Sequence, residues 1–210
     1  MTLFDLAFLL GLLITLGSLP RATYLLLRRR RNKAVRVLTR LLLFAGAYMS
    51  VLVAVSIAQP KQTLALGRAR CFDEWCIVVD NAQRRSSIGT VRADGQFIIV
   101  SARVLNQGRR RRQRETDVGA RLLDDRGFLY VTSARGQAAL VQTAGGSAAL
   151  TDFVNAGSTI RVQLVFDVPN TTRNLEFLTV HSWFPHALII DDAQSVLHEP
   201  VVVPLFGLRH

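Results

Sequence analysis

Acidic residues are almost missing from the start of this 210-residue sequence. Through Gln59 only Asp5 is negative, against Arg21, Arg28, Arg29, Arg30, Arg31, Lys33, Arg36 and Arg40. Most of the formal net charge of +11 therefore sits in one short stretch. A basic excess confined to a connector between apolar runs is a topology signal, so no nucleic acid is expected as a partner. Gly-x-Ser-x-Gly, a Gly-rich phosphate loop and His-Glu-x-x-His are all absent, which leaves hydrolase and kinase chemistry without a constellation. Methionine occurs only as Met1 and Met49, and cysteine only as Cys71 and Cys76. No catalytic residue, cofactor or metal is expected.

Long apolar runs are what the chain has instead. Leu3 to Leu19 is broken only by Asp5 and small residues, and Leu41 to Ala58 carries no charge. About 18–20 residues cross a hydrocarbon core as a helix, so each run is long enough to span. The first span is expected to continue through Pro20 toward Leu27, with Arg21 reaching the headgroups. The segment 21–40 between them holds all eight basic residues and no acid. Such loops stay on the cytoplasmic side, with Arg28, Arg29, Arg30, Arg31 and Lys33 as the determinants. The N-terminus and everything after Ala58 then lie outside the cytoplasm. The start of the chain lacks a basic n-region and is a poor cleavable signal. Arg40 before the second run and Ser56-Ile57-Ala58 at its end offer a cleavage alternative, but that apolar core exceeds the ~7–15 residues of a signal peptide.

Small residues recur at helical spacing in both spans. Ala7, Gly11 and Thr15 share one face of the first, and Gly46, Ser50, Ala54 and Ala58 one face of the second. Either the two stripes face each other in a hairpin, or they receive a second copy or a partner helix of a larger membrane complex.

Beyond a linker at 59–70 the period changes from helix to strand. Ile160, Val162, Leu164 and Phe166 alternate with Arg161, Gln163, Val165 and Asp167, and Phe97 to Asn106 alternates likewise. Leu175 to Trp183 reads as a third strand. Val118 to Leu123 and Phe128 to Thr132 flank Asp124-Asp125-Arg126-Gly127, a hairpin turn. With Ile77 to Asp80, Ala187 to Ile190 and Val201 to Phe206, this predicts an all-β, immunoglobulin-like sandwich over 71–210, after an anchor of two transmembrane helices over 1–58. No useful helical periodicity is visible after the linker, apart from a short turn near Asp192 to Val196.

Cys71 and Cys76 lie outside in this topology, where an oxidising compartment favours a disulfide; free thiols and a metal site are the alternatives. Closing so short a loop stabilises by roughly 2 kcal/mol in the chain-entropy picture.

Cys71-Phe72-Asp73-Glu74-Trp75-Cys76-Ile77-Val78-Val79 resembles the opening of bacterial membrane-anchored proteins with a telokin-like, immunoglobulin-like domain. Gly95 to Asn106, Leu122 to Gly127, Ala156-Gly157-Ser158, Val165 to Pro169 and Leu197-His198-Glu199-Pro200 resemble it further. The resemblance implies a fold and an extracytoplasmic place, and no catalytic residues. Arg109 to Arg112 looks like an insertion relative to that pattern. Two helices before an external β-domain also resemble the copper subunit of haem–copper oxidases, but the Cys-x4-Cys spacing and Met49 inside a span exclude that site.

Arg109, Arg110, Arg111, Arg112 and Arg114 form the strongest feature of the outer domain. Following a strand and Asn106-Gln107-Gly108, they mark a loop tip able to grip an anionic surface polymer, lipid headgroups or an acidic envelope protein; the plainer alternative is a solvated loop. His181 and His186 around Ser182-Trp183-Phe184-Pro185 read as a strand end, and Asp124-Asp125 and Asp191-Asp192 as turns. His198 and His210 are isolated. The function expected is a non-enzymatic, membrane-tethered binding or scaffolding module of the cell envelope.

Overall fold

The computed structural model describes residues 3–72, 74–180, 188–190 and 197–206. The chain divides into two compact units, Met1–Pro60 with Trp183–Pro200 and Lys61–Ser182 with Val201–His210.

The first unit holds α1 (Leu3–Leu27) and α2 (Arg31–Ala58), of 25 and 28 residues. Both are long and apolar enough to cross a membrane. At ~1.5 Å rise per residue each exceeds a hydrocarbon thickness of about 30 Å. α1 continues through Pro20. The basic stretch 21–40 is not a loop. Arg21 lies on α1, and Arg31, Lys33, Arg36 and Arg40 lie on α2, which leaves Arg28, Arg29 and Arg30 as the turn. Helical continuation keeps backbone amides satisfied, and long arginines extend from a helix as readily as from a coil.

The two stripes do not face each other. Gly11 and Thr15 are half-buried, and a Cβ added to Gly11 would lie 3.4 Å from Cε1 of Phe44. Ala7 is exposed, as are Gly46, Ser50, Ala54 and Ala58. α2 instead buries Ala34, Leu52 and Ser56, and it is Phe44, outside the expected stripe, that meets the small face of α1. In the same unit the Tyr48 hydroxyl donates to the Leu188 carbonyl at 2.6 Å. Leu188 to Ile190 form a short turn and not the expected strand; Ala187 lies outside the described residues.

The second unit is a β-sandwich. One antiparallel sheet runs in the order β1 (Ala69–Phe72), β2 (Trp75–Ile88), β3 (Val91–Asn106), β6 (Thr159–Val168). The other runs β5 (Leu129–Val131), β4 (Gly119–Asp124), β7 (Leu175–Val180), β8 (Val203–Pro204). Their facing sides alternate inward. Trp75, Ile77, Val79, Ile98, Val100, Ala102, Val104, Val162, Leu164 and Phe166 meet Val118, Ala120, Leu122, Leu175 and Phe177. Burial of such surface, at roughly 25 cal/mol per Å² of apolar area, holds the sheets together.

Three differences from the sequence reading matter. The domain is not all-β: α3 (Ala134–Ala144) lies on the outer face of the first sheet, packing Ala139 and Leu140 on Phe97, Val165 and Ile88. It comes close because residue 136 is glycine, where a Cβ would lie 2.6 Å from Cγ1 of Val165. The segment 59–70 is not a free linker: β1 starts at Ala69, Leu64 N donates to Val202 O at 2.8 Å and Val202 N to Gln62 O at 3.0 Å. Of Val201 to Phe206 only Val203–Pro204 is strand. The strand from Leu175 is described to Val180, and Trp183 lies outside the described residues.

Candidate functional site

The arginine run lies on the loop between β3 and β4, and its backbone is held from one side chain. Asn106, at 1% exposure, ends β3 facing inward. Its Nδ2 donates to the carbonyls of Arg111 at 2.7 Å and Val154 at 3.0 Å, while its Oδ1 accepts from Gly108 N at 2.9 Å. Gln113 and Val154 exchange backbone hydrogen bonds of 2.9 and 2.8 Å. Gly157 N donates to the carbonyls of Asn106 and Gly108. A buried amide whose donors and acceptor are all engaged fixes its neighbours. The loop is built, not loose.

The five arginines then divide. Arg112 and Arg114 lay their guanidiniums 4.4 and 4.6 Å from the centroid of the Phe153 ring, a cation–π arrangement that pins both. Arg109, Arg110 and Arg111 are exposed, and among the described residues their guanidiniums have no hydrogen-bond or ion-pair partner. With Glu74, Gln107 and Gln113 they line a cavity of about 610 Å³. Glu74 comes from the β1–β2 turn: its carbonyl accepts from Gln107 N at 2.7 Å, and its Oε2 accepts from Gln113 Nε2. Gly108 leaves room for that carboxylate, since a Cβ there would collide with Glu74 Oε2 and Asn106 Oδ1.

A disulfide between Cys71 and Cys76 closes the turn that carries Glu74. The two cysteines sit directly opposite each other on β1 and β2. Next to them the Arg70 guanidinium lies 4.7 Å from the Phe72 ring centroid and donates to Thr179 Oγ1 at 3.0 Å.

Other polar groups neutralise one another. Arg135 contacts Asp94 at 2.9 Å and Asp167 at 3.3 Å beside a cavity of about 820 Å³. Asp124 accepts from Arg126 N, Phe128 N and the Tyr130 hydroxyl, each at 2.9 Å. Burial would raise its pKa, but those three bonds and the Arg126 charge hold it below the ordinary value. Asp124 to Gly127 form the expected hairpin turn, with Gly127 at φ 84°. Among the described residues no three potential metal ligands lie together. His181, His186, Trp183, Phe184, Asp191, Asp192 and His210 lie outside the described residues. His198 Nδ1 is 2.7 Å from the Glu199 carbonyl oxygen.

The sequence pointed to the arginines and missed their surroundings. Asn106, Gln107 and Gly108 stood out only as a loop start, while Glu74, Gln113 and Phe153 carry no local signal because the fold brings them in from separate segments.

No protein-family model matches the chain, and no curated protein sequence does. Solved structures with a similar fold include a secreted protein from Mycobacterium tuberculosis, at 12% identity and TM-score 0.46 over 70% of this chain and 99% of that one. An uncharacterised β-sandwich protein from Clostridium difficile 630 is similar at 11% identity and TM-score 0.42, covering 70% and 96%. A conserved hypothetical protein from Bacillus anthracis is similar at 16% identity and TM-score 0.44, covering 55% and 87%.

Proposed function

We propose that this chain is a membrane-tethered, extracytoplasmic binding module of the cell envelope, with a sandwich of the telokin-like, immunoglobulin-like kind. α1 and α2 cross the membrane as a hairpin, and the turn at Arg28, Arg29 and Arg30 with Arg31 and Lys33 stays in the cytoplasm. What supports this orientation is that short segments rich in Lys and Arg resist translocation, and no acid offsets these. The sandwich then faces outward, where a disulfide at Cys71–Cys76 persists.

The module binds and does not catalyse. One observation carries the binding role: three exposed guanidiniums, Arg109, Arg110 and Arg111, stand without partners among the described residues, on a loop whose backbone is fixed by Asn106. Unpaired cations on a rigid frame meet an anionic partner at little ordering cost. In the full-length protein, Arg109→Ser with Arg110→Ser and Arg111→Ser is expected to remove anionic partners captured by cross-linking in native membranes. An unchanged set of partners would contradict the role.

A second reading rests on the exposed stripe of Gly46, Ser50, Ala54 and Ala58. Small residues in lipid let another helix approach closely, so the hairpin docks as an accessory subunit of a larger complex or against a second copy. Cysteine at position 50 (Ser50→Cys) is expected to form an intermolecular cross-link if a second copy docks there; only monomer after oxidation would count against self-association at this face.

A further inference from the structure

The chemistry around the three guanidiniums that have no partner among the described residues is mixed, and that mixture selects a ligand class. A site for a ligand made only of anionic acceptors gains nothing from a carboxylate among its cations, because that carboxylate repels the ligand. Here Glu74 lines the same cavity as Arg109, Arg110 and Arg111, and it is held there: by its carbonyl through Gln107 N, by Oε2 through Gln113 Nε2, and by the closed Cys71–Cys76 turn. A carboxylate accepts several hydrogen bonds, and among the described residues Oε1 has no partner, which leaves it for a donor on the ligand. The Gln107 and Gln113 amides add neutral polar groups to the lining. At about 610 Å³ the cavity falls in the size range of small-ligand sites, roughly 300–1,000 Å³. The neighbouring Phe153 ring is 47% exposed with Arg112 and Arg114 lying against it, so phosphatidylglycerol vesicles belong among the probes.

We propose that the cavity beside Glu74 recognises an acidic polysaccharide, whose anionic groups meet Arg109, Arg110 and Arg111 while a sugar hydroxyl donates to Glu74. This rests on the reading of the loop as an anion-binding surface and specifies the partner. The guanidiniums supply donors for carboxylate or phosphate on the polymer, and Glu74 supplies an acceptor that a polymer without hydrogen-bond donors cannot use. Specificity then comes from the repulsive element as much as from the attractive one.

The test uses the full chain in phosphatidylcholine nanodiscs and compares polygalacturonate, ionised polyacrylate of matched charge, dextran and phosphatidylglycerol vesicles. Polygalacturonate is expected to bind most tightly, and the triple variant R109S/R110S/R111S to weaken it by about ten-fold or more. Glu74→Ala is expected to weaken polygalacturonate and strengthen polyacrylate, a change of opposite sign for the two polymers. Glu74→Gln keeps an acceptor without charge, and is expected to retain polygalacturonate while gaining polyacrylate. Thermal unfolding and intactness of the disulfide confirm that each variant is folded. Equal binding of the two polymers, with Glu74→Ala strengthening both, would overturn the polysaccharide assignment and leave the anion-binding loop standing. Tighter binding of phosphatidylglycerol vesicles, lost in the triple variant, would overturn it in favour of lipid headgroups. Unchanged binding of every probe in the triple variant would sink both this inference and the loop's role.

Discussion

Asn106 Nδ2 donates to the Arg111 carbonyl at 2.7 Å, so the inward-facing end of one strand sets the course of the arginine loop. The same amide also holds Val154 O and Gly108 N. Asn106→Ala leaves those groups without this partner. A loss of about 2–3 kcal/mol is expected, read as a lower midpoint in urea or thermal unfolding of the full chain. Anion binding should fall with it although no arginine has changed.

Gly108 tests the same frame by crowding. A methyl at this position meets the Glu74 carboxylate and the Asn106 amide. Gly108→Ala is expected to cost about 1–3 kcal/mol in unfolding and to displace Glu74 from the cavity. A change on the exposed part of the loop, such as Arg110→Ala, should leave stability within about 0.5 kcal/mol.

Gln137 shields an edge. From α3 its Nε2 donates to the Gln163 carbonyl at 2.8 Å and its Oε1 accepts from Val165 N at 3.1 Å, so a side chain fills the gap along β6 between the backbone bridges of Thr132 to Phe166 and Ala148 to Val162. Val165 is fully buried, and Gln137→Ala leaves its N–H without this acceptor. A loss of about 1–3 kcal/mol is expected, with faster aggregation measured by light scattering, because an uncovered edge pairs with other chains.

Asp124 gives the sandwich an acid limit. Its folded pKa is depressed below the ordinary value of 3.8. The unfolded chain therefore binds the proton more readily. The stability from this carboxylate is present above the unfolded value and is lost as pH falls through the folded one. Unfolding followed below pH 4 is expected to show a smaller pH dependence in Asp124→Asn than in the wild type. An identical slope would remove the Arg126, Phe128 and Tyr130 contacts as its cause.

Much of this architecture is legible in the order of the amino acids. The two apolar runs are long and nearly uncharged, and β3, β6 and β4 alternate cleanly because each has one face on the core. α3 was not legible: Ser133 caps its start and Gly145 at φ 79° its end, but its inner face is Gly136, Ala139 and Leu140, too small to stand out as a stripe. The second half of β2, Asn81 to Ile88, is mostly polar and exposed, and pairs with β3 through its backbone. On α2, four-residue spacing puts Gly46, Ser50, Ala54 and Ala58 on one face, but spacing does not say which face turns inward, and all four are exposed. Likewise the arginine run was visible, while its division by Phe153 depends on a residue brought in by the fold.

Sidedness decides whether any of the envelope chemistry applies. A cysteine placed on the exposed part of β2 by Ser87→Cys, with the Cys71–Cys76 bridge left intact, can be reacted with a membrane-impermeant maleimide in unbroken spheroplasts. Full labelling without lysis is expected. Labelling that occurs only after the membrane is broken would put the sandwich in the cytoplasm and contradict the proposed orientation.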